Sequence, residues 1–102
     1  MEPTEEEQEE EYVFEYTEKY VLDITLHKKS GQKKLLDKIA SFLEELSIHP
    51  TTGIGQVEPL KGYGERNVYS RRIDKKHRLI YEVFEEKKQV ELLSAYGHYE
   101  DK

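Results

Sequence analysis

Apolar and polar residues follow two different periods along this chain, and the change of period divides it. Leu35, Leu36, Ile39, Phe42, Leu43 and Leu46 recur at three- and four-residue steps with Lys, Asp and Glu between them. That is the spacing of one face of an amphipathic helix, and Pro50 marks where it must end. Upstream, Thr17 is placed to cap a first helix, whose stripe reads Tyr20, Val21, Ile24 and Lys28. Ser30-Gly31 separates the two, which predicts a helical hairpin. Tyr12-Val13-Phe14-Glu15-Tyr16 is β-prone and predicts a strand before it. Residues 51–66 are turn-rich, with Gly53, Gly55, Pro59, Gly62 and Gly64. Three β-prone stretches follow at about 67–73, 77–84 and 89–96. They are joined by Asp74-Lys75-Lys76 and by a turn near Glu86-Lys87-Lys88. Connections this short predict antiparallel hairpins, and a short extra strand is expected near Gln56–Leu60. The order β-α-α-β-β-β is that of an α+β fold, with two N-terminal helices packed on one face of an antiparallel β-sheet.

Composition changes this picture at the N-terminus. The chain has 102 residues, room for one domain with one modest core. Its net charge is −6, but residues 1–11 alone hold seven Glu and no Lys or Arg. Without those seven of the 22 acids, residues 12–102 carry 15 acids against 16 bases. Residues 1–11 therefore read as a disordered acidic tail, and residues 12–102 as a single domain. The bases of that domain cluster. Arg66, Arg71, Arg72, Lys75, Lys76, His77 and Arg78 fall within one thirteen-residue stretch, as either a patch that suits a polyanion or a solvated hairpin. The absence of Cys rules out disulfides and thiolate metal sites, and fits a reducing cytoplasm. No apolar run approaches the roughly 18 residues of a membrane helix. Met1 leads into acid, so no signal peptide is expected.

Three residue types in this region meet the needs of RNA cleavage. With 74–76 as the turn, Arg72 faces Arg78 across the hairpin, and such a like-charge pair calls for an anion or a carboxylate between them. Glu58, Glu82 or an RNA phosphate could supply it. Glu58 precedes Pro59 and is held extended by it. One register of the last hairpin sets Tyr96 opposite Arg78 and, by parity, His98 on the face of Arg72 and Arg78. A one-residue slip sends His98 to the other face, and alternation leaves both open. In such a set a carboxylate can take the ribose 2′-OH proton, an imidazole can protonate the leaving 5′-oxygen, and guanidiniums can hold the phosphorane charge. Spacing alone is a weak signal for it.

The order of short motifs is more specific. His49-Pro50-x-Thr52-Gly53-x-Gly55, Glu58-Pro59-Leu60-Lys61-Gly62, Tyr69-Ser70-Arg71-Arg72-Ile73, His77-Arg78-Leu79-Ile80-Tyr81 and a closing His98-Tyr99 follow one another. This set resembles the YoeB/Txe toxins of the RelE superfamily over roughly residues 12–99. The resemblance implies a RelE-like microbial-ribonuclease fold, in a cytoplasmic toxin of a type II toxin–antitoxin pair that cuts mRNA in the ribosomal A site. The ribosome, the mRNA and a cognate antitoxin would be its partners, with a homodimer as a further option, and no membrane. Carried over by motif, Glu58 matches the general base, Arg78 the phosphate-stabilising arginine and His98 the general acid. Tyr99, Arg72 and Lys61 match substrate-contacting positions. No cofactor or metal is implied, and His27, His49, His77 and His98 are too scattered to suggest a ligand set. The chain departs from the pattern in four places. Val68 stands where a second ring is usual, and Tyr96 where a base is frequent. Glu100-Asp101-Lys102 follow the closing motif, and the acidic tail precedes the first. The alternative is a non-enzymatic member of the superfamily, ParE-like or a pure binding module, although ParE-like toxins lack the Glu/Arg/His trio.

Overall fold

A computed structural model describes residues 11–97 of the chain. The acidic tail expected at 1–11 lies almost wholly outside that range, as do His98 and Tyr99.

The elements run β1 (Val13–Tyr16), α1 (Glu18–Lys29), α2 (Lys33–Leu46), β2 (Glu58–Pro59), β3 (Val68–Arg72), β4 (Arg78–Phe84) and β5 (Gln89–Ser94). They form one five-stranded sheet in the order β1-β5-β4-β3-β2, with both helices against one face. The α+β architecture agrees with the sequence pattern, and β2 is the short extra strand. The sheet departs from the antiparallel expectation at one edge. β1 runs parallel to β5, with Val13 opposite Gln89 and Tyr16 opposite Leu92. The helical hairpin is what permits this, because it carries the chain across the sheet between β1 and the meander.

Local chemistry sets the element ends. Thr17 caps α1, its hydroxyl accepting from the Tyr20 amide. The same hydroxyl donates to the Leu92 carbonyl at 2.7 Å, which ties the start of α1 to β5. Asp74 closes the β3–β4 turn by accepting from the Lys76 and His77 amides, each at 2.8 Å.

The main core lies between helices and sheet. Ile39, Phe42 and Leu46 of α2 pack with Leu79, Tyr81, Val83, Val90, Leu92 and Ala95. Of the other members of the α2 stripe, Leu35 and Leu43 are partly buried beside them, and Leu36 is half-buried outside this cluster. The α1 stripe is corrected in part: Tyr20 is buried and Ile24 packs beside the core, but Val21 and Lys28 are exposed. The buried residues of α1 are Tyr20, Asp23 and His27, whereas Val21, Leu22 and Leu26 are exposed. The helix is rotated so that two polar residues point inward. On the sheet's other face, Leu60, Val68 and Ile80 form a second, smaller cluster with Tyr63 and Leu93.

Candidate active site

Register decides which side chains share a face. Arg72 is directly opposite Arg78, as the three-residue turn requires, and Glu58 is directly opposite Ser70. Ser70 in turn faces Ile80, a residue of the smaller cluster. Paired residues project to the same side, so Glu58, Ser70, Arg72, Arg78 and Ile80 all belong to the face without helices. Glu58 lies one strand and two residues from Arg72, about 7–8 Å in a regular sheet. Arg78 lies a further strand away, about 5 Å. Long side chains converging from those positions leave room for a phosphodiester between them. Glu58 is exposed, and Arg72 and Arg78 are half-buried. Among the described residues neither arginine is ion-paired. Glu82, one of the carboxylates expected to separate them, is instead held by Arg66 at 2.7 Å. Lys61 is exposed just beyond β2.

The basic stretch from 66 to 78 is thus smaller as a patch than its sequence suggests. Arg66 is occupied by Glu82. Arg71 points to the helix side and is completely buried. Its Nη1 donates to Glu45 Oε1 at 2.6 Å and to the Ile54 carbonyl at 3.3 Å. Its Nη2 donates to the His49 and Thr52 carbonyls at 2.9 and 2.7 Å, and its Nε to the Tyr81 hydroxyl at 3.1 Å. The Tyr81 hydroxyl in turn donates to the Pro50 carbonyl at 2.8 Å. All five guanidinium donors are therefore used, and the 49–55 loop is folded around them. The Ile54 amide and then Arg71 hold the Glu45 carboxyl below the usual carboxylate range. Gly55 fits only as glycine, since its φ is +88° and a Cβ would lie 2.7 Å from the Phe42 ring. This anchored loop delivers the chain to Glu58, and the Gly55 carbonyl accepts from the Arg72 amide. Arg72, Lys75, Lys76 and Arg78 remain as the outward bases.

The C-terminal end approaches the same place from β5. Pairing is regular from Phe84–Gln89 to Tyr81–Leu92, then jumps to Ile80–Ser94. This bulge at Leu93 shifts the pairing by one residue, and the shifted register, if continued, is the one that sets Tyr96 opposite Arg78. Beyond Ser94 the chain bends, and the Tyr96 ring lies against His27 and His77. The Arg78 amide donates to the Gly97 carbonyl at 2.8 Å. The structure thus brings Glu58, Arg72 and Arg78 onto one face and ends its description one residue before His98.

This helix hairpin, five-stranded sheet and helix-free basic face can be compared with known proteins. A family model described as the YoeB-like toxin of bacterial type II toxin-antitoxin system matches residues 16–99. The chain belongs to the YoeB toxin family. Toxin YoeB of Mycobacterium bovis is 38% identical over 71 residues, covering 69% of this chain and 79% of that protein. Among solved structures, the YoeB/ParE toxin from Agrobacterium tumefaciens superposes with a TM-score of 0.77 at 26% identity, over 85% of this chain and 99% of that one. The YoeB of Staphylococcus aureus, solved as a dimer, gives 0.75 at 28% identity over 87% and 99%. It is also known in a heterotetrameric YoeB-YefM toxin-antitoxin complex. These YoeB structures share the α+β architecture described above, so the chain is a toxin of a type II toxin–antitoxin system with a RelE-like fold.

Two features of this YoeB-family chain were not legible as functional in its sequence. One is the Arg71–Glu45 anchor. The other is the pair Asp23 and His27, which reach from α1 to the backbone of Ala95. A polar pair at i and i+4 on a helix with apolar residues to either side was the available signal. Among the described residues no group of three or more His, Cys, Asp or Glu is arranged to hold a metal ion, and no helix is long and apolar enough to cross a membrane.

Proposed function

We propose that this toxin is an mRNA endoribonuclease that works in the ribosomal A site of the cytoplasm and thereby stops translation. The observation that carries the reading is the placement of Glu58, Arg72 and Arg78 on one helix-free face, with the arginines opposite each other and free of ion pairs among the described residues. Two facing guanidiniums repel unless an anion lies between them, and a phosphodiester is an anion that two planar forks can grip. Glu58 takes the proton of the ribose 2′-OH, whose oxygen attacks the adjacent phosphorus. Arg78, supported by Arg72, holds the charge that develops on the phosphorane oxygens. The bond to the 5′-oxygen breaks, and His98 supplies the proton that this oxygen takes up, leaving a 2′,3′-cyclic phosphate and a 5′-hydroxyl. Lys61 and Tyr99 contact the RNA. The base and acid come from side chains, so the scheme needs no metal. The ribosome would supply the mRNA in an extended, single-stranded form that an open face, rather than a deep cleft, can accept. The remaining partner is an antitoxin protein, a reading supported by the family's toxin–antitoxin pairing and by the YefM complex of the S. aureus relative. Self-association follows from the dimer of that relative.

The test is primer extension on mRNA translated by purified ribosomes with added toxin, in the presence and absence of EDTA-chelatable trace metals other than the ribosome's magnesium. Codon-phased cleavage is expected with the wild type. Glu58→Gln, Arg78→Met and His98→Gln should each lower it about 100-fold or more, the size of a general acid–base contribution, without a change in melting temperature. Growth arrest without RNA cleavage would overturn the reading in favour of a ParE-like or purely binding toxin.

A further inference from the structure

We propose, resting on the ribonuclease reading above, that Asp23, His27 and His77 form a clamp that sets the direction in which the C-terminal residues leave the fold beside Arg78, and that they are positioning residues for cleavage. After β5 ends at Ser94, the chain no longer has a full sheet ladder to hold it. Its backbone groups are nevertheless held one after another. The Ala95 amide donates to Asp23 Oδ2 at 2.9 Å. The Ala95 carbonyl accepts from His27 Nε2 at 2.8 Å, which places the His27 proton on Nε2, since a carbonyl only accepts. The Gly97 amide donates to His77 Nδ1 at 2.8 Å, and the Gly97 carbonyl accepts from the Arg78 amide. Residues 95 and 97 are thus fixed at both their polar groups, three of the four by side chains that lie outside the ladder.

The arrangement is costly for a helix that only needed to dock. Asp23 and His27 are 4% and 0% exposed, and burying polar side chains costs free energy unless each is well bonded. Meanwhile Val21, Leu22 and Leu26 of the same helix face outward. Packing alone would favour the reverse rotation. The i, i+4 spacing explains the choice, because it stacks a carboxylate and an imidazole one turn apart, one for the amide and one for the carbonyl of a single residue. Lys19 holds the Asp23 carboxylate at 2.8 Å. The His27 and His77 rings meet edge to face at 4.8 Å, and the Tyr96 ring packs against both, 5.2 Å from His27 and 4.7 Å from His77 between centroids. What the clamp fixes is the last described peptide before His98, bonded directly to the backbone of Arg78. A displacement of about 1 Å at such a point can cost on the order of 100-fold in rate.

The clamp is tested with variants that remove or retain each bond. His77→Leu removes the acceptor for Gly97, and His77→Asn retains it. His27→Leu removes the donor to Ala95, and His27→Gln retains it. His77 is only half-buried, so its variants keep the test open if His27→Leu fails to fold. Amide hydrogen exchange should be slow at Ala95 and Gly97 in the wild type. It should accelerate at least tenfold at Gly97 in His77→Leu, and return in His77→Asn. Ribosome-bound cleavage should lose 10- to 100-fold in kcat with KM unchanged in His77→Leu, and most of it should return in His77→Asn. Fast exchange at both amides in the wild type would overturn the clamp. Accelerated exchange with undiminished kcat would overturn its positioning role. If the wild type does not cleave RNA, the functional reading fails on that result, and hydrogen exchange still decides whether the clamp exists.

Discussion

Replacing Arg71 by methionine separates the two faces of β3 by experiment. Methionine keeps an unbranched apolar stem and removes the guanidinium, whose carbon lies 5.9 Å from the centroids of both the Phe42 and Tyr81 rings. That leaves the Glu45 carboxylate without its cation, and the carbonyls of His49, Thr52 and Ile54 without their donors. Each buried unsatisfied group costs about 1–3 kcal/mol. The loop carbonyls sit on exposed residues and can recover water if the loop lifts, and Glu45 is 29% exposed. The net loss therefore falls near about 3–5 kcal/mol, the usual cost of breaking a buried pair from one side. A domain of this size has about 5–15 kcal/mol in total, and a loss of that size lowers its melting temperature by roughly 15–30 °C. The assay is thermal unfolding followed by circular dichroism, with Arg72→Met as the control. Arg72 lies on the opposite face, opposite another arginine, so its loss should change stability by no more than about 0.5 kcal/mol while weakening RNA binding. A melting temperature for Arg71→Met within about 5 °C of the wild type would refute the anchor. An equal fall in Arg72→Met would refute the division of labour between the faces.

Other outcomes follow from the same structure. Phe42→Ala should cost about 3–5 kcal/mol, because the ring is fully buried, and Leu43→Ala distinctly less than the 2–5 kcal/mol of a fully buried leucine, because it lies at the edge of the core; urea midpoints would show whether the order is reversed. Gly55→Ala should destabilise the 49–55 loop through both its positive φ and its clash with Phe42, seen as faster amide exchange at Arg72, whose amide is bonded to Gly55. Burial, partly offset by Asp74, holds the His77 imidazole below its usual value of 6.5. The native state therefore binds that proton less readily than the unfolded chain. Stability from this group is full above pH 6.5 and is lost as pH falls from there through the lowered folded value. A urea titration between pH 7.5 and 5 should show that loss, and His77→Asn should flatten it; an unchanged slope would remove His77 as its source.

How much of this was legible depended on whether a short-range rule decided the matter. Thr17, Pro50 and the Asp74-Lys75-Lys76 turn each act within a few residues, so the helix ends and the Arg72–Arg78 register could be read directly. The bulge at Leu93 could not, since one extra residue leaves no mark in an alternation that mixes polar and apolar residues around Glu91-Leu92-Leu93-Ser94. Nor could the parallel pairing of β1, because nothing in Tyr12–Tyr16 says which strand it will meet. Arg71 and Arg72 are the same residue type side by side, and charge counted both as surface. Only the half-buried Glu45 and the loop carbonyls, supplied from elsewhere in the chain, made one of them interior. For α1, Val21 and Lys28 drew the stripe outward, while the inward face was set also by the polar bonds that Asp23 and His27 make to Ala95. Glu58 and Arg78 came from motif resemblance, and their common face from register. His98 came from strand parity in one of two registers and from motif resemblance.

The parallel pairing of β1 with β5 bears on when this toxin becomes a toxin. The first strand's partner is the last to be synthesised. The Val13 amide is bonded to Lys88, the Thr17 amide to Leu92, and even the hydroxyl that caps α1 donates to Leu92. Domains assemble as their chains emerge, and contacts this far apart in sequence close late. A nascent chain can form its helical hairpin early, but its edge strand and the start of α1 wait for residues some 75 positions downstream. The sheet is completed only once β5 has left the exit tunnel. A protein proposed to attack the ribosome is thus built so that its sheet closes only after its last strand has left the ribosome that makes it.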